Sequence, residues 1–261
     1  LSSNGGDIRL IGDVLVNVLF APVSTVGAGS ITIEGNWQDP IQSNTGNGIR
    51  TTSATITTEN GSITMRGRNG TGGSDVGFLI DGTTIASTGS GEIQLEGVCP
   101  NPTGDGLVIT GAMGAVSSGS GNTFITGSAV GGEGIKFDAS TSVSSSASGN
   151  IFLYGDRVTL DGSLSSAGSL IVRPIDISTS MGIGGVAGEF NLTDAELAGL
   201  VPGFDVITLG WGNGGMGALN IETAAFADAV FIDAAVFADG AGVDLTAPNA
   251  ILRGRVEPGG V

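Results

Sequence analysis

Apolar and polar residues alternate with a period of two in a short segment that recurs along the first two thirds of the chain. The segment has the form glycine-x-apolar-x-apolar-x-glycine, and its last occurrence is degenerate. The occurrences are GDIRLIG from Gly6, GSITIEG from Gly29, GSITMRG from Gly61, GEIQLEG from Gly91, GNTFITG from Gly121, GNIFLYG from Gly149 and GSLIVRP from Gly168. Because a period of two is that of a strand, each segment predicts a short strand with two different faces.

The third and fifth residues of the motif form two columns that are aliphatic except at Thr123. We predict that these columns stack in the core. The third-position column contains Ile8, Ile31, Ile63, Ile93 and Ile151, followed by Leu170, and the fifth-position column contains Leu10, Ile33, Met65, Leu95, Ile125 and Leu153, followed by Val172.

Between the motifs, a glycine and an apolar residue open a further strand, and a serine- and threonine-rich stretch leads to the next motif. Each unit therefore holds about three short strands and has no room for an ordinary helix. Such units predict an all-β protein, a parallel β-helix (β-solenoid), and the chirality of parallel crossovers makes it right-handed. We expect the repeated glycines to supply positive φ angles at the corners.

The pattern divides the chain into residues 1–175, with regular coils, and residues 176–261, which we interpret as an irregular continuation of the same β-helix. Thr193, followed by Asp194 and Glu196, is a helix-capping signature and predicts one short helix near 193–200. Strand-like segments return from Phe204, Ala218, Ala229 and Ala250.

The outward positions of the motif change character along the stack. At the sixth position Glu34, Arg66 and Glu96 alternate in sign, so stacking would make them neighbours of opposite charge. At the fourth position polar residues give way to Phe124 and Phe152, with Tyr154 beside them, which predicts an outward aromatic ladder. One interpretation is that a loop or the C-terminal segment covers this ladder. The other is that it contacts a glycan or a partner protein.

Composition excludes several classes of function. The chain has no histidine and one cysteine, which argues against zinc sites, most general-base chemistry and internal disulfides, and we predict no metal and no cofactor. Twenty-five acidic and nine basic residues give a net charge of −16, which argues against nucleic-acid binding. Because no apolar run approaches about 18 residues, we also predict no membrane span.

The glycine-bracketed strands, their serine-glycine returns and the segment LTDAELAGLVPGFDVITLG resemble the haemagglutinin-type repeats of filamentous-haemagglutinin-like adhesins, which bacteria export by two-partner secretion. The resemblance covers nearly the whole chain. It implies an extracellular β-helical shaft, located at the bacterial cell surface or secreted, that contacts a host or matrix surface. Because the chain begins with Leu1 and shows no signal segment, we expect either a processed molecule or a piece of a longer polypeptide, and we favour the second.

The structural and adhesive role takes one of two forms, a shaft segment or a fibre subunit, and a polysaccharide-binding or polysaccharide-degrading β-helix stays open as the alternative. Open β-helix ends favour continuation in a longer chain or end-to-end self-association into a fibre. Some β-helices bind or degrade polysaccharides, but the candidate acidic residues Asp75, Asp81, Asp105 and Asp138 show no paired spacing, so we predict no enzyme activity.

Cys99 is either an exposed thiol, able to link subunits, or an inert buried one.

Overall fold

The computed structural model describes residues 1–38, 46–70, 72, 75–186, 188–211, 218–221, 223–238 and 244–257. Within these ranges the chain consists of short strands, turns and a single short helix. Neighbouring strands pair in parallel, and strands that are three apart along the chain pair with each other through the regular part of the stack. The protein is therefore a parallel β-helix with three strands per coil, which confirms the predicted fold class.

The chain visits three faces in turn, which we name A, B and C. Face A contains β1 (Ser2–Ser3), β4 (Pro22–Thr25), β7 (Thr55–Thr58), β10 (Thr84–Ser87), β13 (Ala115–Ser118), β16 (Ser142–Ser145) and β19 (Ser163–Ser165). Face B contains β2 (Ile8–Gly12), β5 (Ile31–Gly35), β8 (Ile63–Arg68), β11 (Ile93–Cys99), β14 (Thr123–Ala129), β17 (Ile151–Gly155) and β20 (Leu170–Pro174). Face C contains β3 (Val16–Leu19), β6 (Ile49–Thr52), β9 (Phe78–Asp81), β12 (Leu107–Thr110), β15 (Ile135–Phe137) and β18 (Val158–Leu160).

The glycine-bracketed motifs form face B, and their register is the predicted one. Ile31 pairs with Ile63, which pairs with Ile93, and all three side chains are fully buried. The fifth-position column is buried as well, except that Leu10 of the first coil is only partly buried. Thr123 is the polar exception in the third-position column. Its buried hydroxyl donates a hydrogen bond of 3.2 Å to the Ser118 hydroxyl.

Faces A and C contribute the remaining inward columns. Face A offers one aliphatic and one hydroxyl column, whereas both face C columns are mainly aliphatic or aromatic. Several of these buried hydroxyls donate to backbone carbonyls at the turn into face B: Thr58 donates to Gly61 at 2.6 Å and Ser145 donates to Gly119 at 2.8 Å. The Ser87 hydroxyl of the same column has no hydrogen-bond partner among the described residues. Serine and threonine are therefore accommodated in this inward column, because a hydroxyl at the corner can donate to a nearby backbone carbonyl.

Glycine is required at the end of the motif because backbone atoms just before the next strand lie very close to it. This reason differs from the sequence-based expectation, which was a positive φ angle at these glycines. Neither Gly35 nor Gly67 has a positive φ angle. A Cβ atom on Gly35 would overlap the carbonyl oxygen of Gly48, at the point where the chain turns onto face C, and one on Gly67 would overlap that of Gly77. The corner is too narrow for any side chain, so glycine is selected by space.

The regular order of faces ends after β20. The remaining elements are β21 (Met181–Ile183), β22 (Phe190–Leu192), α1 (Asp194–Ala198), β23 (Ile207–Gly210), β24 (Ala218–Ile221), β25 (Thr223–Ala225), β26 (Val230–Ala238), β27 (Asp244–Thr246) and β28 (Ala250–Glu257). β23, β26 and β28 continue face B, so the third-position column extends through Ile207 and Val230. β21 and β22 lie in the reverse of this order and pair with each other. β22 comes later in the chain but packs against β18 of the regular coils, whereas β21 pairs with β24.

Helix α1 confirms the predicted capping signature and closes the edge of face C. The Thr193 hydroxyl accepts a hydrogen bond from the Glu196 backbone, and the Glu196 carboxylate accepts one from the Thr193 backbone at 2.7 Å. The other carboxylate oxygen of Glu196 accepts a hydrogen bond of 2.9 Å from the Leu160 backbone. The capping side chain thus also satisfies a backbone donor at the end of β18.

We predict that Gly35→Ala destabilises the protein by about 1 to 3 kcal/mol, because the added methyl group must displace the backbone of Gly48. Chemical unfolding monitored by circular dichroism measures the change. Gly46→Ala is the matched control, since a Cβ atom there meets no atom within 4 Å. Equal stability of the two variants would contradict the steric explanation.

Candidate functional site on face B

The predicted aromatic ladder lies on the outer surface of face B. Phe124 on β14 pairs with Phe152 on β17, which pairs with Ile171 on β20, so the three side chains share one outward column. The two rings stack with their centroids 4.5 Å apart and their planes within 7°. This distance is close to the spacing of neighbouring strands, about 4.8 Å, so the register of the strands sets the stack.

The aromatic side chains are half-buried, so they are neither bare nor fully covered. Tyr154 meets Phe152 edge to face, with ring centroids 6.1 Å apart. Residues 124, 152 and 154 therefore form one continuous aromatic surface, which we call the aromatic ladder. Stacked and edge-to-face pairs of this kind each stabilise a fold by about 0.5 to 1.5 kcal/mol.

Arginine and tryptophan extend the ladder toward the C-terminal coils. The Arg173 guanidinium carbon lies 4.1 Å from the centroid of the Tyr154 ring and 4.3 Å from that of the Trp211 ring. Burial raises the pKa of Tyr154, and the nearby Arg173 cation opposes this shift. The motif alignment places Arg173 next to Tyr154, whereas Trp211 lies outside every motif and no sequence signal indicated its position.

A second arginine–tryptophan cluster lies on the N-terminal side of the ladder. Trp37 packs against Arg68, whose guanidinium carbon is 4.8 Å from the ring centroid, and against Arg66 at 5.9 Å. The sequence pattern does not predict this role of Trp37, because Trp37 follows the motif glycine and the corner residue Asn36, which has a φ of 50°. The path of the chain after such a corner cannot be read from a strand motif.

The sixth-position charges form ion pairs, although not in the simple alternation that the sequence suggests. Arg66 pairs with Glu96 at 3.4 Å, as predicted. Glu34 pairs instead with Arg9 of the preceding coil at 3.2 Å. Both pairs are partly exposed to solvent, so each contributes at most about 1 kcal/mol.

A depression of about 420 Å³ lies beside the aromatic ladder on the same face. It is formed where the tall Phe124 side chain stands next to coils that carry smaller or ion-paired side chains. The lining residues are Arg66, Glu92, Gln94, Leu95, Glu96, Phe124 and Thr126. The depression thus combines one aromatic wall with amide, hydroxyl, carboxylate and guanidinium groups.

Several carboxylates serve as links between coils. Asp105 accepts a hydrogen bond of 2.8 Å from the Glu133 backbone, and Asp138 accepts one from the Thr110 hydroxyl. Asp156 accepts bonds from the Ser128 hydroxyl and the Ala129 backbone at 2.7 and 3.0 Å. Among the residues that the structure describes, no group of three or more histidine, cysteine, aspartate or glutamate side chains is placed to hold a metal ion.

Cys99 is buried, with 1% of its surface exposed, so the exposed-thiol interpretation is wrong for the folded chain. Its thiol lies 3.4 Å from the Asp75 carbonyl oxygen, to which it donates, and 3.7 Å from the Asn69 amide nitrogen. It lies next to Ala129 in the stack. The cysteine is thus part of the packing at the end of β11.

Comparison with known proteins adds no assignment. No protein-family model, curated protein or solved structure matches the chain significantly. The described part of the chain contains no helix with the length and apolarity needed to cross a membrane. The outer surface of face B is therefore interpreted from its own chemistry.

We predict that the single tyrosine of the chain, Tyr154, titrates above pH 10, because burial disfavours the phenolate. Absorbance at the phenolate band follows this residue alone. Replacing Arg173 with glutamine raises the pKa further, since it removes the cation that favours the phenolate. A titration midpoint that is unchanged or lower in Arg173→Gln would contradict this arrangement.

Proposed function

We propose that the chain is a segment of an extracellular β-helix with a structural and adhesive role at a bacterial surface, either in the shaft of an adhesin or as a subunit of a surface fibre. The proposal includes no catalysis. Two features support it: the resemblance to haemagglutinin-type repeats, and a parallel β-helix fold of the kind that this resemblance implies.

The observation that carries the proposal is the open first coil. Strands β1, β2 and β3 each occupy the terminal position of their sheets. Large apolar side chains concentrate around the same coil and are at least 37% exposed. These residues are Leu1, Ile11, Val14, Leu15, Leu19, Phe20 and Val26. A terminal strand presents backbone donors and acceptors, and exposed apolar patches mark interaction surfaces.

A further coil of the same kind fits this surface. It would pair with all three terminal strands at once and would cover Leu10 and Val16, which are only partly buried in the first coil. Every internal coil is covered in this way by its neighbours. The added coil belongs either to the same polypeptide or to a second copy of the chain, and both arrangements produce a longer β-helix.

We predict that the isolated chain forms concentration-dependent rods, which negative-stain electron microscopy and analytical ultracentrifugation detect. Leu15→Lys combined with Leu19→Lys should prevent association, because the two substitutions place charges at the first coil. Val130→Lys is the matched control. Its side chain is 65% exposed but lies in the middle of the stack, so this variant should assemble like the unmodified chain.

Mass spectrometry of the polypeptide taken from its source distinguishes the two forms of continuation. A native chain much longer than 261 residues supports a covalent shaft, and a chain of this length that forms rods supports a self-stacking subunit. A native chain of this length that stays monomeric at all concentrations would overturn the proposal.

A second candidate function is polysaccharide binding, and the half-buried aromatic ladder is the observation that favours it. The preceding coils show that the fold accepts polar side chains at this column, since Thr64 and Gln94 occupy it there. Aromatic side chains there present an apolar surface beside polar groups. We propose this as the adhesive contact of the β-helix.

A further inference from the structure

We infer that the depression beside Phe124 binds one ring of a neutral saccharide. The inference rests on the polysaccharide-binding function proposed above and gives that function a site and a ligand class. It depends on three properties of the depression: an aromatic ring in its lining, polar groups suited to hydroxyls, and the sign of the surrounding charge.

The first property is the Phe124 ring, which lines the depression. One face of this ring is covered by Phe152, since the two rings are stacked. Because the stack runs along the column, the opposite face is directed toward the preceding coil, where Gln94 is the paired residue. Gln94 and Phe124 both line the depression, so the Phe124 ring borders it on the side of the preceding coil. The C–H face of a pyranose ring is apolar and flat, and it is complementary to such a surface.

The second property is the polar lining. Each sugar hydroxyl is both a donor and an acceptor, so it is recognised best by groups that offer one or both functions. Gln94 supplies an amide, Thr126 a hydroxyl, Glu92 and Glu96 carboxylates, and Arg66 a guanidinium. The depression thus combines convergent polar groups with the apolar Phe124 ring, and small-molecule sites use both kinds of contact.

The strand register and one ion pair fix part of the lining before a ligand binds. Gln94 and Glu96 lie on β11, Phe124 and Thr126 lie on β14, and the two strands pair in register. Arg66 on β8 is held by its ion pair with Glu96. Because little side-chain freedom is lost on binding, such a site keeps more of its interaction energy as affinity.

The third property is charge. Two carboxylates and one guanidinium line the depression, and the whole chain has a net charge of −16. Sulfated saccharides and those that contain uronic acids would be repelled by this surface. A neutral saccharide meets no such penalty, so the charge selects between the two ligand classes.

Binding to an array of immobilised oligosaccharides tests the inference. The array presents neutral glucans, galactans and mannans beside sulfated and uronic-acid-containing oligosaccharides. We expect binding to neutral members only. The neutral oligosaccharide that gives the strongest signal is then titrated against the protein by isothermal titration calorimetry, with a heparin tetrasaccharide as the anionic probe.

Variants locate the site. Phe124→Ser should weaken affinity by about tenfold or more, because it removes the stacking surface, and Phe124→Trp should retain binding. Gln94→Ala should weaken it by about three- to tenfold through the loss of a hydrogen bond at a position that does not pack in the core. Met113→Ser is the control, since Met113 is 71% exposed at the turn between faces C and A. Thermal unfolding shows whether each variant is folded.

The outcomes separate this inference from the assembly proposal. The titration is repeated with the Leu15→Lys, Leu19→Lys variant, so that binding is measured without rods. Neutral-saccharide binding that depends on Phe124 and Gln94 supports the site, whether or not rods form. Binding only to anionic saccharides, binding that folded Phe124 and Gln94 variants retain in full, or no binding to any neutral member would overturn it.

Discussion

Each coil of this protein depends on the coils on either side of it, through parallel backbone hydrogen bonds and contacts within shared inward columns. A single coil has only a handful of apolar side chains to bury, while ordering each residue costs about 1 to 2 kcal/mol of conformational entropy. Ile63 illustrates the constraint, because its burial is complete only with Ile31 on one side and Ile93 on the other. The first coil shows the converse, since Leu10 lacks a second neighbour and remains partly exposed.

The regular part of this stack could be predicted because the constraint is periodic. The seven-residue motif has a glycine at each end and aliphatic residues at alternate positions. This pattern is enough to place Ile31, Ile63 and Ile93 in one column. The order of β21 and β22 could not be predicted, because it depends on the path between them. Gly184 and Gly185 both have positive φ there, and the chain turns back toward β18 instead of moving along the stack. A strand pattern identifies strands but does not determine which neighbour each one finds.

The candidate site also contains contacts that the sequence predicts and contacts that it does not. The stacking of Phe124 on Phe152 follows from the register alone, since both occupy the fourth position of consecutive motifs. The contacts of Trp37 and Trp211 follow from the chain after a corner, where no repeat constrains it. The depression also escapes sequence reasoning, because its shape depends on the different heights of neighbouring outward side chains. Register predicts which residues adjoin, but not how much space remains between them.

The separation of inward and outward columns explains how a binding surface can arise on this fold without loss of stability. The inward side chains of β11 and β14 hold the coils together, whereas Gln94 and Phe124 occupy the same outward column with very different side chains. The fold therefore does not require an aromatic residue at position 124. Stacking on Phe152 offsets part of the cost of an exposed ring, but it covers only one of the two ring faces. The part of the ring that lines the depression is not used in the described part of this stack, and we propose that it contacts a ligand.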